Sequence, residues 1–369
     1  MRLFALIIIL YLAGFFAHAF YLKKTVYGDG IFYYSWLRSI VIDHDFNFTD
    51  EYQYFHAGQP PTRYGLPGNK YSVGPALLWA PAYLWIDSII KGKGFEFPYQ
   101  LAVGLTGVCY ALVGLILLYR LLSQFFPEKV GRLAVLGVAL ATNLFYYGSL
   151  DTVNSHALSF FAVTLFLSFL LHERKNWLLI GLSLGLVGLI RPQDMVIGVT
   201  VIPFFKPKYL VYFFLGLFIE FLPQLLAWQT LYREFWISPY LIANEYFDFL
   251  HPHIQEVLFA PWYGLFFYSP VLLLGIIGLI MWKNQIKAFV CFALLLELLL
   301  ISSWSTWWQG ASVGGRMFIG CLPLLALGLG QFFEKNWQSG WNVNIFLLIF
   351  VVPLTCLNLI LTFSYLWLH

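Results

Sequence analysis

The residue best placed to do chemistry is Asp29, in Gly28-Asp29-Gly30, inside the first long polar segment, Lys23 to Tyr71. Two flanking glycines leave little bulk around the carboxylate, so a substrate could approach it closely. Gly and Asp are also ordinary turn residues, which is the plainer reading of the triplet. A second carboxylate, Asp151, sits in Gly148-Ser149-Leu150-Asp151-Thr152, shortly before His156. A carboxylate pair or an Asp–His pair can accept a proton from an attacking hydroxyl or amine. Asp151 could equally cap a helix starting near His156, and from the residues alone the cap is the favoured reading.

The cations are fewer. Arg191 lies between two apolar half-segments, 176–190 and 192–205, that meet at Arg191-Pro192. A charge there must be paired or reach water, and discontinuous helices commonly build binding sites at such breaks. Arg316 follows Gly314-Gly315, where a tight turn would let its fork approach a phosphate bidentately. Lys70 precedes Tyr71 at the end of the polar segment. Three such cations on one face suit an anionic lipid headgroup; snorkelling to ordinary phospholipid is the alternative and fits Lys23 and Lys24 better than Arg191. Tyr33, Tyr71, His156 and Trp308 are candidates to line a substrate cavity. Trp304, Trp307 and Trp308 read as an interfacial aromatic belt that could also stack on a sugar ring. Glu220 and Glu297 fall near the middle of apolar segments, as a proton relay or as structural hydrogen-bonding groups. His44, His56, His251 and His253, with Asp43 and Asp45, leave a divalent metal open, but His251-Pro252-His253 matches no strong metal motif. The expectation is that no metal or other cofactor is required.

The elements that must position these groups are apolar. Of 369 residues, 60% are hydrophobic and 11% charged, with mean hydropathy +0.75. Soluble domains carry roughly a quarter charged residues, so the chain reads as an all-α polytopic membrane protein. The net charge of +3 is spread out, without a basic run of the kind that binds nucleic acid. Cys109, Cys291, Cys321 and Cys356 all lie in apolar stretches and read as buried free thiols. Arg2, the apolar run to Phe16 and Ala17-His18-Ala19 imitate a signal peptide, but an uncleaved first spanning helix is the expectation.

Apolar runs of spanning length occur at 3–22, 97–122, 130–148, 156–173, 208–229, 264–282, 286–304, 314–333 and 344–366, besides the two halves at Arg191-Pro192. The run 73–90 is ambiguous because Pro75 and Pro81 interrupt it. If it stays on the outer face, Arg120, Lys129, Arg132, Arg174, Lys175, Lys206, Lys208, Lys283, Lys287 and Lys335 all fall inside, in accord with the positive-inside rule. If it crosses, every later loop inverts and the rule fails. The expected architecture is therefore a single transmembrane domain over 1–369 with about eleven spans (10–12). It has a first outer loop at 23–96, a second at 230–263, and no separate soluble domain. Residues 31–42 have apolar side chains at helical spacing and read as an amphipathic juxtamembrane helix lying at the interface.

An initial spanning helix followed by Gly28-Asp29-Gly30-Ile31-Phe32-Tyr33-Tyr34 and Leu37-Arg38-Ser39 resembles the GT-C superfamily of membrane glycosyltransferases. Its protein mannosyltransferase and lipid A aminoarabinose transferase branch is the most similar. Asn69-Lys70-Tyr71-Ser72-Val73-Gly74-Pro75, the stretch from Gly185 to Gln193, Gly264-Leu265-Phe266 with Ser269-Pro270, and Trp307 through Arg316 are similar to the same group. The resemblance implies that Asp29 is the catalytic carboxylate and Asp151 a second acid. It also implies that Lys70 contacts the donor phosphate and that Arg191 and Arg316 line the same cavity. It further implies a sugar donor on a polyprenyl phosphate, a glycan, lipid or protein acceptor, and surrounding membrane lipid. The expected setting is the bacterial cytoplasmic membrane, with the site facing outward. The competing expectation is a transporter or flippase of a lipid-linked sugar or small solute, built on the break at Arg191-Pro192 with Glu220 and Glu297.

Overall fold

The computed structural model describes residues 2–310, 312–341 and 343–368; Met1 and Ala311, which belong to stretches named above, lie outside the described residues. Its regular structure is helical, with two isolated bridges, Pro61 to Pro67 and Phe247 to Trp304, among the described residues. The first helix, α1 (Arg2–Leu22), leads into the helices α2 (Gly30–Arg38), α3 (Thr49–Tyr54) and α4 (Gly74–Ile90). The bundle continues with α5 (Phe97–Leu122), α6 (Glu128–Leu140), α7 (His156–Leu170), α8 (Trp177–Ile190) and α9 (Leu210–Tyr232). Two short helices, α10 (Pro239–Ile242) and α11 (Ile254–Phe259), belong to the second loop. The remainder is α12 (Leu265–Tyr268), α13 (Val271–Met281), α14 (Lys287–Ser302), α15 (Leu322–Gln338), α16 (Val343–Phe346) and α17 (Val352–Leu368).

The apolar runs read from the sequence are helical, and the polytopic all-helical fold is the one observed. Among the described residues, five stretches are long and apolar enough to cross a membrane: Phe4–Leu22, Phe97–Leu122, Pro207–Tyr232, Arg316–Gln338 and Asn344–Trp367. Shorter apolar helices, α7, α8 and α13, accompany them. The cysteines are free, but only Cys321 is buried; Cys109 and Cys356 lie on exposed helix surfaces.

The break at Arg191 has a local cause. Proline lacks the N–H that a continuing helix needs and biases the preceding residue away from helical backbone. Arg191 accordingly adopts extended backbone (φ −146°, ψ 99°), and a 3-10 run, Pro192–Phe204, follows. The returning end of the first loop is fixed onto this break. Ser72 donates its hydroxyl to the Ile190 carbonyl, and Val73 N–H donates to Gln224 Oε1 at 2.9 Å. Gly74 starts α4 so close to α8 that a Cβ there would lie 2.3 Å from the Leu189 carbonyl oxygen.

The helix read at 31–42 exists, as α2 and a π-helical turn at Ser39–Asp43, but its setting differs from the expected interfacial one. Every residue of α2 except Phe32 is buried. Its single charge, Arg38, is neutralised in place by Asp43 Oδ2 at 2.5 Å and Glu51 Oε1 at 2.7 Å. Arg38 Nε also donates to the Lys93 carbonyl at 2.8 Å, and the guanidinium stands 3.9 Å over the Phe95 ring. With its charge paired and its aromatic residues packed by Phe48, Phe55 and Tyr83, α2 needs no wet face.

Candidate active site

The two glycines beside Asp29 serve different ends. Gly28 takes a left-handed turn (φ +53°), and Gly30 lies against the next loop, where a Cβ would come within 2.2 Å of the Val153 carbonyl oxygen. Gly30 therefore works as a spacing device that seats the Asp29 loop against Val153, while the space around Gly28 stays open. Asp29 occupies the N-cap position of α2, yet its side chain makes no capping bond. Its Oδ1 accepts a hydrogen bond from Tyr71 Oη at 2.8 Å, and its Oδ2 pairs with Arg316 Nη2 at 2.8 Å.

Arg316 is held by the turn that precedes it. Asn143 Nδ2 donates to the Gly314 carbonyl at 2.8 Å, Tyr147 Oη to the Val313 carbonyl at 3.1 Å, and Gly315 N–H to the Tyr263 carbonyl at 2.8 Å. Asp151 lies within electrostatic reach of the Arg316 guanidinium. Burial pushes the Asp151 carboxyl up to about 7, with Arg316 acting in the opposite direction. Asp151 is not the cap of α7. The N-cap is Ser155, and it is Asn154 Oδ1 that accepts the His156 N–H at 2.8 Å. The cap reading fails because Asn154 reaches the helix start first.

On the opposite wall, Arg191 is almost fully buried. Its Nη1 lies 2.6 Å from His156 Nδ1, and its Nε lies 3.3 Å from Asp194 Oδ1. Because a guanidinium only donates, His156 Nδ1 must accept, which leaves the ring neutral with its proton on Nε2. His156 thereby orients Arg191 and is not a further cation. Tyr33 Oη donates to Ser155 Oγ at 2.9 Å. Lys70 pairs with Glu245. The other carboxylate oxygen, Glu245 Oε2, accepts from Trp304 Nε1 at 3.2 Å and lies 3.5 Å from Thr306 Oγ1.

Asp29, Lys70, Arg191 and Arg316 all border one polar cavity of about 240 Å³, as do Tyr33, Tyr71, His156 and Trp308. Asp151 stands behind Arg316 and does not border it. A second, mostly apolar cavity of about 380 Å³ adjoins it through shared walls at Lys70, Gln193, Tyr240, Trp304 and Met317, and extends between Phe221, Trp228 and Leu300. Glu245, Tyr240 and Gln193 border the polar cavity and went unread in the sequence. The available signal was an acid set among aromatic residues, Tyr240 to Phe247, in a loop assigned to the same side as Asp29.

The other acids and histidines fall elsewhere. Glu297 is buried on α14, with neither carboxylate oxygen hydrogen-bonded, and Glu220 is half-buried on α9. The possible histidine metal site is not assembled. His251 pairs with Asp248 at 2.9 Å and His253 with Glu256 at 3.7 Å, and among the described residues no three His, Cys, Asp or Glu side chains gather as metal ligands.

Comparison with curated proteins gives no match. Residues 80–227, from α4 to α9 and including Asp151, His156 and Arg191, match the model of the dolichyl-phosphate-mannose-protein mannosyltransferase family. Over those residues the match bears out the resemblance to the GT-C superfamily read from the sequence and, with the helices above, supports an integral membrane glycosyltransferase of the mannosyltransferase type.

Proposed function

We propose that the chain transfers a sugar from a polyprenyl-phosphate carrier to a hydroxyl or amine of a glycan, lipid or protein acceptor, at the outer face of a bacterial cytoplasmic membrane. The observation that carries this reading is the joined pair of cavities: a polar one ringed by Asp29, Lys70, Arg191 and Arg316, and an apolar one that shares the Lys70 wall. A headgroup and a hydrocarbon tail ask for that combination, and each buried methylene of a tail adds about 0.8 kcal/mol.

In this reading Asp29 takes the proton of the acceptor nucleophile. Its carboxylate is aimed by Tyr71 and Arg316, which bind one oxygen each. The nucleophile forms its bond to the anomeric carbon as the bond from that carbon to the phosphate oxygen breaks. The electron pair leaves on the phosphate, where Lys70, Arg191 and Arg316 stabilise the charge in a poorly hydrated site. Asp151 acts as the second acid, holding or releasing a proton behind Arg316. The test is turnover of purified protein with polyprenyl-phosphate sugars, mannose first, read as released polyprenyl phosphate. Failure of every such donor to turn over, with acceptors of all three classes present, overturns the reading.

A further inference from the structure

Each of the three cations on the polar cavity already has a carboxylate partner: Arg316 has Asp29, Arg191 has Asp194, and Lys70 has Glu245. A donor phosphate brings at least one more negative charge, and it gains most where the carboxylate partner of a cation can turn away to receive it. The three are not equally able to do so. Asp194 is 1% exposed and lies behind the cavity wall. Asp29 is tied to Tyr71 as well as Arg316 and is the proposed base. Glu245 borders the cavity, and its second carboxylate oxygen already has two partners of its own, Trp304 Nε1 and Thr306 Oγ1.

The backbone carrying Glu245 has a fixed seat. Asp248 N–H donates to the Ser303 carbonyl at 2.6 Å, Ser305 N–H to the Tyr246 carbonyl at 2.8 Å, and His253 N–H to the Ser302 carbonyl at 2.8 Å. The loop is thus stitched to the segment holding Trp304 and Thr306, and a rotation of the Glu245 side chain suffices to leave Lys70. A buried carboxylate without partners would resist that move, because an unsatisfied charge is costly. Trp304 and Thr306 remove most of that resistance.

We propose that Glu245 is an internal substitute for the donor phosphate. It holds Lys70 in the observed conformation, yields it by turning onto Trp304 and Thr306 when the phosphate arrives, and takes it back as the spent carrier leaves. The inference rests on the donor reading above and adds a residue that sets donor affinity and carrier release without touching the reacting atoms. Glu245 is in this sense a positioning residue acting through Lys70. After transfer the carrier is a phosphate monoester, which carries more negative charge at neutral pH than the diester donor. A carboxylate competing for the same ammonium therefore helps its departure, the step that limits many well-evolved enzymes.

The experiment measures binding of polyprenyl phosphate, and turnover with the donor that the full-length chain accepts, for wild type, Glu245→Gln, Glu245→Asp and Trp304→Phe. Glu245→Gln is expected to bind polyprenyl phosphate about tenfold tighter. Its donor KM falls and its kcat falls with it, while Glu245→Asp returns toward wild type. Trp304→Phe removes the second resting place and is expected to weaken binding about threefold. A merely structural Glu245 predicts the opposite sign, with KM rising and thermal stability falling. Equal or weaker binding by a folded Glu245→Gln overturns the inference and leaves the donor reading intact. If Glu245→Gln does not fold, Trp304→Phe decides by the direction of its shift. Absence of polyprenyl phosphate binding in wild type and every variant overturns both.

Discussion

Arg316 Nη2 lies 2.8 Å from Asp29 Oδ2, so the first-loop acid and the cation of the Gly314-Gly315 turn meet across most of the length of the chain. Tyr71, from the far end of the same loop, takes the other carboxylate oxygen at 2.8 Å. The carboxylate is a fixed group in a charged frame.

Replacing Asp29 by Asn keeps the shape and leaves Arg316 unpaired toward the cavity. Sugar transfer is expected to fall by about 10² to 10⁴, the usual worth of a positioned acid–base group. Polyprenyl phosphate binding should hold or tighten. Turnover and binding on the same sample check this, and a drop in both together would contradict it.

Asp151 gives a pH signature. Its carboxyl is raised from 3.8 to about 7, so the folded state holds a proton more tightly than the unfolded chain. The stability this provides is complete below pH 4 and is lost as pH rises through 7. Asp151→Asn is expected to flatten that slope in thermal denaturation between pH 4 and pH 8. Activity should also lose the limb centred near 7 if Asp151 exchanges its proton during turnover.

For Arg191, charge and geometry separate. Arg191→Lys keeps the charge but loses the fork shared between His156 and Asp194, and donor KM is expected to rise about tenfold. Arg191→Met strands the buried Asp194 carboxylate, which costs about 3–5 kcal/mol. Its thermal stability and yield from detergent should collapse while Arg191→Lys survives.

Gly30→Ala tests the spacing role of that glycine. A Cβ would meet the Val153 carbonyl oxygen at 2.2 Å, so the loops bearing Asp29 and Asp151 must part. Overpacking of this kind costs about 1–3 kcal/mol, and activity should suffer more than the melting temperature shows. Gly28→Ala, strained by the left-handed backbone but free of contacts, should lose stability with less effect on turnover.

Much of this arrangement was legible in the sequence. Hydropathy located the helices, Pro192 gave the break, and the ordered motifs named several of the residues that border the polar cavity, Asp29, Lys70, Arg191 and Arg316 among them. What stayed illegible was pairing at long range. That Arg316 would meet Asp29, or Glu245 would meet Lys70, depends on how the outer loops fold over the bundle, and no local spacing encodes it. The Asp151 cap reading failed for a local reason, since an Asn two residues before the helix competes equally well in sequence. Helix α2 was placed correctly but read as wet on one side, because the partners of Arg38 arrive from Asp43, Glu51 and the Lys93 carbonyl.

The bond from Ser72 and the tight seat of Gly74 weld the Lys70 end of the first loop to the end of α8, and the bond from Val73 ties it to Gln224 on α9. The two cations on that wall are one rigid part. The segment around Trp236 and Leu250, which are 82% and 86% exposed, is not part of that weld. In the proposed reading it is the stretch that can be rewritten for a new acceptor without disturbing the seat of Lys70 and Arg191.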